Sequence, residues 1–227
     1  EKTNNLHPLL SLSIAVFGQH SIGIKTNLGI SRIAESFNPT KQYEPYVPAI
    51  SGHTVIFYKL RLGKRSSIGA ELLFSQIQNK ENLTFDYTDN FGNVIDQTDI
   101  SISKHISYLS LPIYYGIKYK KITFSIGIQT SLTLTSSAIG KGEEILNGEI
   151  IPHDKNYGEL NIHNYDFGFR SGITYSLNEK FSIETIYYTG AINILKNDDP
   201  SVWNWRPQQL TIGVEYKLFT IGKSEKK

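Results

Sequence analysis

Residues His105–Thr135, HISYLSLPIYYGIKYKKITFSIGIQTSLTLT, decide the fold, because two long alternating patterns meet there at a two-residue turn. Apolar side chains recur at every second position from Leu109 to Tyr119, and again from Ile122 to Ile128. Alternate side chains of a strand point to opposite faces, so the stretch predicts an antiparallel hairpin with its turn at Lys120–Lys121. One face is apolar and partly aromatic, whereas the other carries glycine, hydroxyl, amide and lysine side chains.

The same alternation recurs along the rest of the chain and predicts eight strands. Besides the two arms of the hairpin, they cover residues 20–33, 50–62, 67–78, 161–176, 180–192 and 208–219. Long connections (34–48, 79–101, 138–160 and 193–207) alternate strictly with short turns. This sorting is typical of outer-membrane β-barrels, whose periplasmic turns are short and whose outer loops are long. The 79–101 connection contains a turn sequence at 89–93 and is expected to form a hairpin of its own.

The composition fits one barrel domain and excludes several classes of site. A chain of 227 residues is long enough for a single barrel, and its net charge of +2 gives no reason to expect nucleic acid. Cysteine is absent, which excludes disulfides and thiolate metal sites. A mean hydropathy of −0.27 does not exclude a membrane barrel, because only alternate residues of its strands face lipid.

Charges of both signs lie on the less apolar faces of the predicted strands. They are Lys25, Lys59, Arg61, Glu71, Lys118, Asp166, Arg170, Glu184, Glu215 and Lys217. We expect these side chains to form one ion-pair network that fills a pore-less lumen, with glycines on the same faces making room for them. Aromatic residues near the short turns are expected to form the periplasmic girdle: Tyr119, Tyr175, Phe181 and Phe219. On charge alone, a soluble ligand-binding barrel with reversed faces remains an alternative.

The two ends of the chain are expected to lie outside the barrel. Residues 1–18 contain a short apolar run, 9–17, that resembles the end of a signal peptide, although a first strand is the alternative interpretation. The barrel domain is predicted over 19–219, and a short basic tail over 220–227.

Three pieces of the chain carry a family resemblance: SIGAELLFSQ at 67–76, LPIYYGIKYKKITFSIGIQTSLTLTS at 111–136 and LTIGVEYKLF at 210–219. With the Tyr-Leu-x-Leu-Pro motif at Tyr108–Pro112, they resemble the PorT-like outer-membrane β-barrel family common in Bacteroidetes, over roughly residues 19–219. The resemblance implies an integral eight-stranded barrel, and one type of member assists a protein-secretion system. It implies no catalytic motif and no cofactor.

Enzymatic and metal-binding chemistry has weak support in the sequence. An outer-membrane lipid hydrolase or acyltransferase would need a serine beside a histidine, for which His105 with Ser103 or Ser107 is the candidate. His153 and His163 could bind a metal, but a solvated loop explains them better. A calcium loop beginning at Asp86 lacks the required glycine and glutamate positions. We therefore expect a non-enzymatic protein without metal or cofactor.

Outer-membrane lipid is the expected partner, a protein in the outer membrane or periplasm is a candidate partner, and no nucleic acid is expected. Trp203, Trp205 and Arg206, in the predicted fourth loop, could contact a glycan or a partner, or the two tryptophans could form the outer girdle. The sequence therefore predicts an eight-stranded outer-membrane barrel with a structural or interaction role. A secretion accessory, a lipid-modifying enzyme and a soluble binder are the alternatives.

Overall fold

Nine antiparallel strands make up the part of the chain that the computed structural model describes, residues 18–37, 47–88, 94–146, 149–196 and 203–222. They are β1 (Gln19–Phe37), β2 (Val47–Arg61), β3 (Ser66–Thr88), β4 (Val94–Tyr119), β5 (Ile122–Leu146), β6 (Glu149–Gly158), β7 (Tyr165–Ser176), β8 (Phe181–Gly190) and β9 (Trp203–Ile221). No helix among the described residues is long and apolar enough to cross a membrane.

Eight of the strands close into a ring. Each pairs with its neighbour in the order β1-β2-β3-β4-β5-β7-β8-β9, and β9 pairs with β1 from His20↔Ile221 to Phe37↔Trp203. The short turns 62–65, 120–121 and 177–180 lie at one end, called the turn end here, and the opposite end is the loop end. The predicted eight-stranded, up-and-down barrel is confirmed.

The outer wall of the ring is apolar and the inner face is mostly polar. Large apolar side chains alternate along the strands with their side chains exposed, as for Leu109, Ile113, Phe124 and Ile126 of the central hairpin. The intervening residues point inward and are buried, as are Ser110 and Gln129. A continuous belt of exposed isoleucine, leucine and aromatic residues is unfavourable in water and favourable in lipid.

One strand, β6, was not predicted from the sequence. Residues 138–160 were predicted to be a polar connection, but β5 continues to Leu146 and β6 returns beside it, pairing from Leu146↔Glu149 to Ala138↔Gly158. The sequence of the link, Asn147-Gly148, is a strong hairpin signal between apolar residues. The hairpin predicted within 79–101 is confirmed, because β3 and β4 pair as far as Thr88↔Val94.

The barrel is taller on one side. β4 has 26 residues, whereas crossing a membrane takes about 9–11 residues of a tilted strand. The loop-end parts of β3, β4, β5 and β6 remain paired beyond the apolar belt, and we call this four-stranded extension the raised sheet. From Val94 to Tyr108, β4 adds about 45 Å of strand at roughly 3.3 Å per residue.

Two connecting segments, 159–164 and 191–196, pack against each other at the loop end, on the side of the barrel away from the raised sheet. The His163 amide donates to the Ile194 carbonyl at 2.7 Å, and the Lys196 amide donates to the Asn161 carbonyl at 3.0 Å. Together they complete an apolar cluster, called the plug here, inside the barrel mouth. It consists of Ile33, Ile77, Ile106, Tyr108, Ile162 and Ile194. The loop end of the lumen is therefore closed by apolar packing, which the sequence reasoning did not predict.

Candidate functional site

A cluster of buried ion pairs fills the middle of the lumen. Lys25 of β1 lies at its centre, with its Nζ 2.8 Å from Glu71 Oε1, 2.7 Å from Glu184 Oε2 and 3.3 Å from Glu215 Oε2. Lys59 Nζ is 3.2 Å from Glu215 Oε2, and Arg170 donates to Glu71 Oε2. These six residues come from β1, β2, β3, β7, β8 and β9, so the cluster spans the lumen.

The charges of this cluster balance. Three cations (Lys25, Lys59 and Arg170) meet three carboxylates (Glu71, Glu184 and Glu215), and the Lys25 side chain is only 2% exposed. Ions taken out of water are tolerated when they are mutually paired and their remaining hydrogen bonds are made. Asn27 supplies one of these bonds by donating to Glu184 Oε1 at 3.1 Å. The arrangement fills the middle of the lumen with side chains whose charges are mutually paired.

Two aromatic rings pack beside the cluster, which corrects the predicted role of the lumen glycines. Lys25 Nζ lies 5.2 Å from the centre of the Phe57 ring and 5.7 Å from that of Tyr114. A Cβ on Gly23 would overlap the Phe57 ring, and one on Gly69 would overlap the Tyr114 ring. These two glycines therefore make room for the aromatic rings of the neighbouring strand, rather than for the charged side chains as predicted.

The other four charged residues predicted for the lumen lie outside the cluster. Asp166 is buried nearer the loop end and accepts a hydrogen bond from the Tyr188 hydroxyl at 2.5 Å. Arg61, Lys118 and Lys217 line the mouth at the turn end. The single network predicted from the sequence is thus three separate groups, because strand register sets these residues at different heights in the barrel.

A second ion pair at the loop end was missed in the sequence. Lys104 Nζ lies 2.5 Å from Glu81 Oε1 and 4.0 Å from the centre of the Trp205 ring. The sequence placed Glu81 in a connection, although it lies within β3. Residues 77–81 (IQNKE) and 102–106 (ISKHI) do not alternate between apolar and polar side chains, so no periodic signal in the sequence pointed to this pair.

The predicted loop position of the two tryptophans is wrong. β9 begins at Trp203, and Trp205 points inward and packs against the plug. Trp205 is therefore not part of an outer girdle. Arg206 is exposed on the opposite face of β9, and the Trp203 side chain lies outside the described part of the structure.

The raised sheet presents an open edge. β6 pairs with β5 alone among the described strands, so its other side is unpaired from Glu149 to Gly158. Ile150 is 64% exposed, and Ile151 and Tyr157 are also exposed. Charges of both signs surround them, including Lys141 and Asp154, which face each other across the β5–β6 pair.

The candidate catalytic and metal-binding residues do not form a site in the described structure. His105, Ser103 and Ser107 lie on one face of β4, but no hydrogen bond joins the histidine to either serine in the described part of the chain. His153 lies 3.4 Å from the Tyr157 hydroxyl, and His163 packs on Tyr165. Within the described ranges, no three histidine, aspartate or glutamate side chains converge as metal ligands. Residues 89–93 of the stretch weighed as a calcium loop, residues 1–17 of the predicted leader and residues 223–227 of the tail lie outside the described residues.

A family comparison decides between a membrane barrel and a soluble one. The family model described as outer membrane protein beta-barrel domain matches residues 16–196. The chain belongs to this family. It is an outer-membrane β-barrel protein of bacteria, and the exposed apolar wall is its lipid-facing surface. The soluble-barrel alternative is therefore wrong.

Two solved structures of small outer-membrane barrels are similar in fold to this protein. Neisserial surface protein A (NspA) is 13% identical, with 88% of this chain and 99% of that chain covered and a TM-score of 0.44. Ail, the attachment invasion locus protein of Yersinia pestis, is 14% identical, with 89% and 100% covered and a TM-score of 0.37. Among curated proteins, no sequence matches the chain.

Proposed function

We propose that this outer-membrane barrel is a non-enzymatic interaction protein whose raised sheet binds a protein partner outside the cell. The observation that carries the proposal is the open edge of β6, with Ile150, Ile151 and Tyr157 exposed beyond the lipid belt. The barrel then acts as the anchor, and the sheet as the contact surface.

The closed lumen supports an anchoring role. The neutral ion cluster fills the middle of the barrel, and the plug closes the loop end. Eight strands leave an interior just wide enough for side chains, so no pathway for a solute remains. Function is therefore expected on the outer surface of the molecule.

The open edge supports recognition by β-strand addition. An extended segment of a partner can pair with the unpaired backbone groups of β6, while apolar pockets select its side chains. Pro152 lacks one donor, which is compatible with an edge strand and limits indiscriminate pairing between copies. Exposed isoleucine and tyrosine beside charges of both signs favour a protein partner over a polyanion.

The narrower hypothesis, a PorT-like accessory barrel of a Bacteroidetes secretion system, rests on the sequence resemblance alone. It predicts contacts at the turn end, which faces the periplasm when the long loops face outward. A lipid-modifying enzyme would instead depend on His105. These alternatives differ in which surface of the barrel touches another molecule.

Site-specific photo-crosslinking in living cells tests the proposal. A photoreactive residue is placed at Ile150 or Tyr157 on β6, at Ile212 on the lipid-facing wall, or at Lys121 at the turn end. We expect one discrete protein adduct shared by the two β6 positions and absent from the other two. An adduct confined to Lys121 would favour the secretion accessory, and one confined to Ile212 would favour a contact through the barrel wall; either contradicts the proposal.

A variant with matched controls identifies the contact surface. Ile150→Asn with Ile151→Asn keeps the strand but removes the exposed apolar side chains, and should abolish the adduct formed from Tyr157. Ile212→Asn removes from the wall a side chain about as exposed as that of Ile150 and should leave that adduct intact. The heat-modifiable gel shift verifies that each variant is folded. His105→Ala is expected to leave the membrane lipid composition unchanged.

A further inference from the structure

Cationic side chains converge on the mouth of the barrel at the turn end, opposite the raised sheet. A pocket of about 100 Å³ opens there between the ends of the eight ring strands. Its cations are Lys59, Arg61, Lys64, Arg65, Lys118 and Lys217. The carboxylate among its lining residues is that of Glu215.

Among the described residues that line this mouth, cations outnumber carboxylates. Glu215 already contacts Lys59 at 3.2 Å and Lys25 at 3.3 Å, so it belongs to the ion cluster above the pocket. Lys118 and Lys217 make no ion pair with any part of the chain that the structure describes. Arg61 donates to the backbone carbonyls of Gly63 and Lys64, at 2.9 and 3.0 Å, rather than to a carboxylate.

Hydroxyl groups complete the lining of the pocket. Ser67, Thr123 and Thr174 contribute to the wall between the cations. Several positive charges with hydroxyl donors around a small space match a compact, multiply charged oxyanion, because charge-assisted hydrogen bonds to phosphate are short and strong. A volume of about 100 Å³ accommodates one phosphate group.

We propose that the turn-end mouth binds a phosphate group. The group is supplied either by free phosphate in the periplasm or by the headgroup of a phospholipid in the inner leaflet. Lys118 and Lys217 are its principal ligands, since both line the mouth from opposite sides of the ring, on β4 and β9, and neither makes a salt bridge in the described structure. The site is independent of the proposed partner surface, because the two lie at opposite ends of the barrel.

Titration with inorganic phosphate tests the site. The full chain is folded in a zwitterionic detergent and titrated calorimetrically with phosphate in chloride buffer at constant ionic strength. We expect saturable binding at one site, weakened at least tenfold in Lys118→Gln/Lys217→Gln. The control, Lys121→Gln/Lys180→Gln, removes the same charge from turns at the same end and should bind as the unchanged protein does. A gel shift on heating confirms that both double variants are folded.

The source of the phosphate group is determined by competition. If micellar phosphatidylglycerol displaces inorganic phosphate, the site takes a headgroup; if it does not, the site takes free phosphate. Both results support the proposal. It is overturned if phosphate binds no better than chloride. It is also overturned if the two double variants bind equally, since net charge alone would then explain the binding.

Discussion

Arg170 of β7 donates a charge-assisted hydrogen bond to Glu71 of β3 across the lumen, although two strands of the ring lie between them. Glu71 also contacts Lys25 of β1, so one carboxylate links three strands that are not neighbours. Backbone pairing joins only adjacent strands, whereas this contact joins opposite walls. The ion cluster therefore fixes the cross-section of the barrel and seals it.

Removal of the central carboxylate should destabilise the barrel strongly. In Glu71→Gln, Arg170 and Lys25 keep their buried charges but lose an ionised partner, and we expect a loss of about 3–5 kcal/mol in the free energy of unfolding. Urea unfolding in phospholipid vesicles measures it. Glu179→Gln removes the same charge from an exposed turn and should cost below about 0.5 kcal/mol. Equal losses in the two variants would show that the cluster contributes nothing.

The glycine beneath Tyr114 should not tolerate a methyl group. A Cβ on Gly69 would overlap the Tyr114 ring, so Gly69→Ala is expected to cost about 1–3 kcal/mol through displacement of the ring. At Gly63 a Cβ would meet only the Ser66 hydroxyl oxygen, at 3.9 Å, and Gly63→Ala is the matched control. Adding Tyr114→Leu should recover part of the loss. If Gly69→Ala unfolds at the same urea concentration as Gly63→Ala, the ring does not occupy that space.

The plug and the ion cluster should have separable roles. Ile194→Asn places an amide among buried isoleucines, so the segments 159–164 and 191–196 should open and become sensitive to protease added from outside. Planar-bilayer current should stay at baseline, because the ion cluster still fills the lumen. Leu177→Asn, at an exposed turn, controls for the loss of an apolar side chain. A steady current through Ile194→Asn would mean that the plug alone seals the barrel.

Local alternation made the eight ring strands predictable, whereas contacts between distant segments were not. The ring strands have one lipid face and one lumen face, so every strand carries a period of two. β6 has exposed side chains on both faces and thus no such period. Ile162 and Ile194 are isolated apolar residues within polar stretches, and only the folded segments bring them together. For the charged residues, the sequence predicted that they lie on the polar face of each strand. It did not predict how far along the barrel axis each one lies, because that depends on the register between strands.

A spin-label scan along β5, from Thr123 through the raised part to Glu143, tests directly whether the barrel is lined by polar side chains and holds its sheet above the membrane. The chain has no cysteine, so single-cysteine variants are labelled at one site each. Oxygen accessibility should peak at positions 124, 126 and 128 and fall at 125, 127 and 129, and a water-soluble nickel reagent should reach Lys141 and Glu143. Oxygen maxima in the opposite phase, or an oxygen-accessible pattern that continues to Glu143, would contradict a polar-filled barrel that holds its sheet above the membrane.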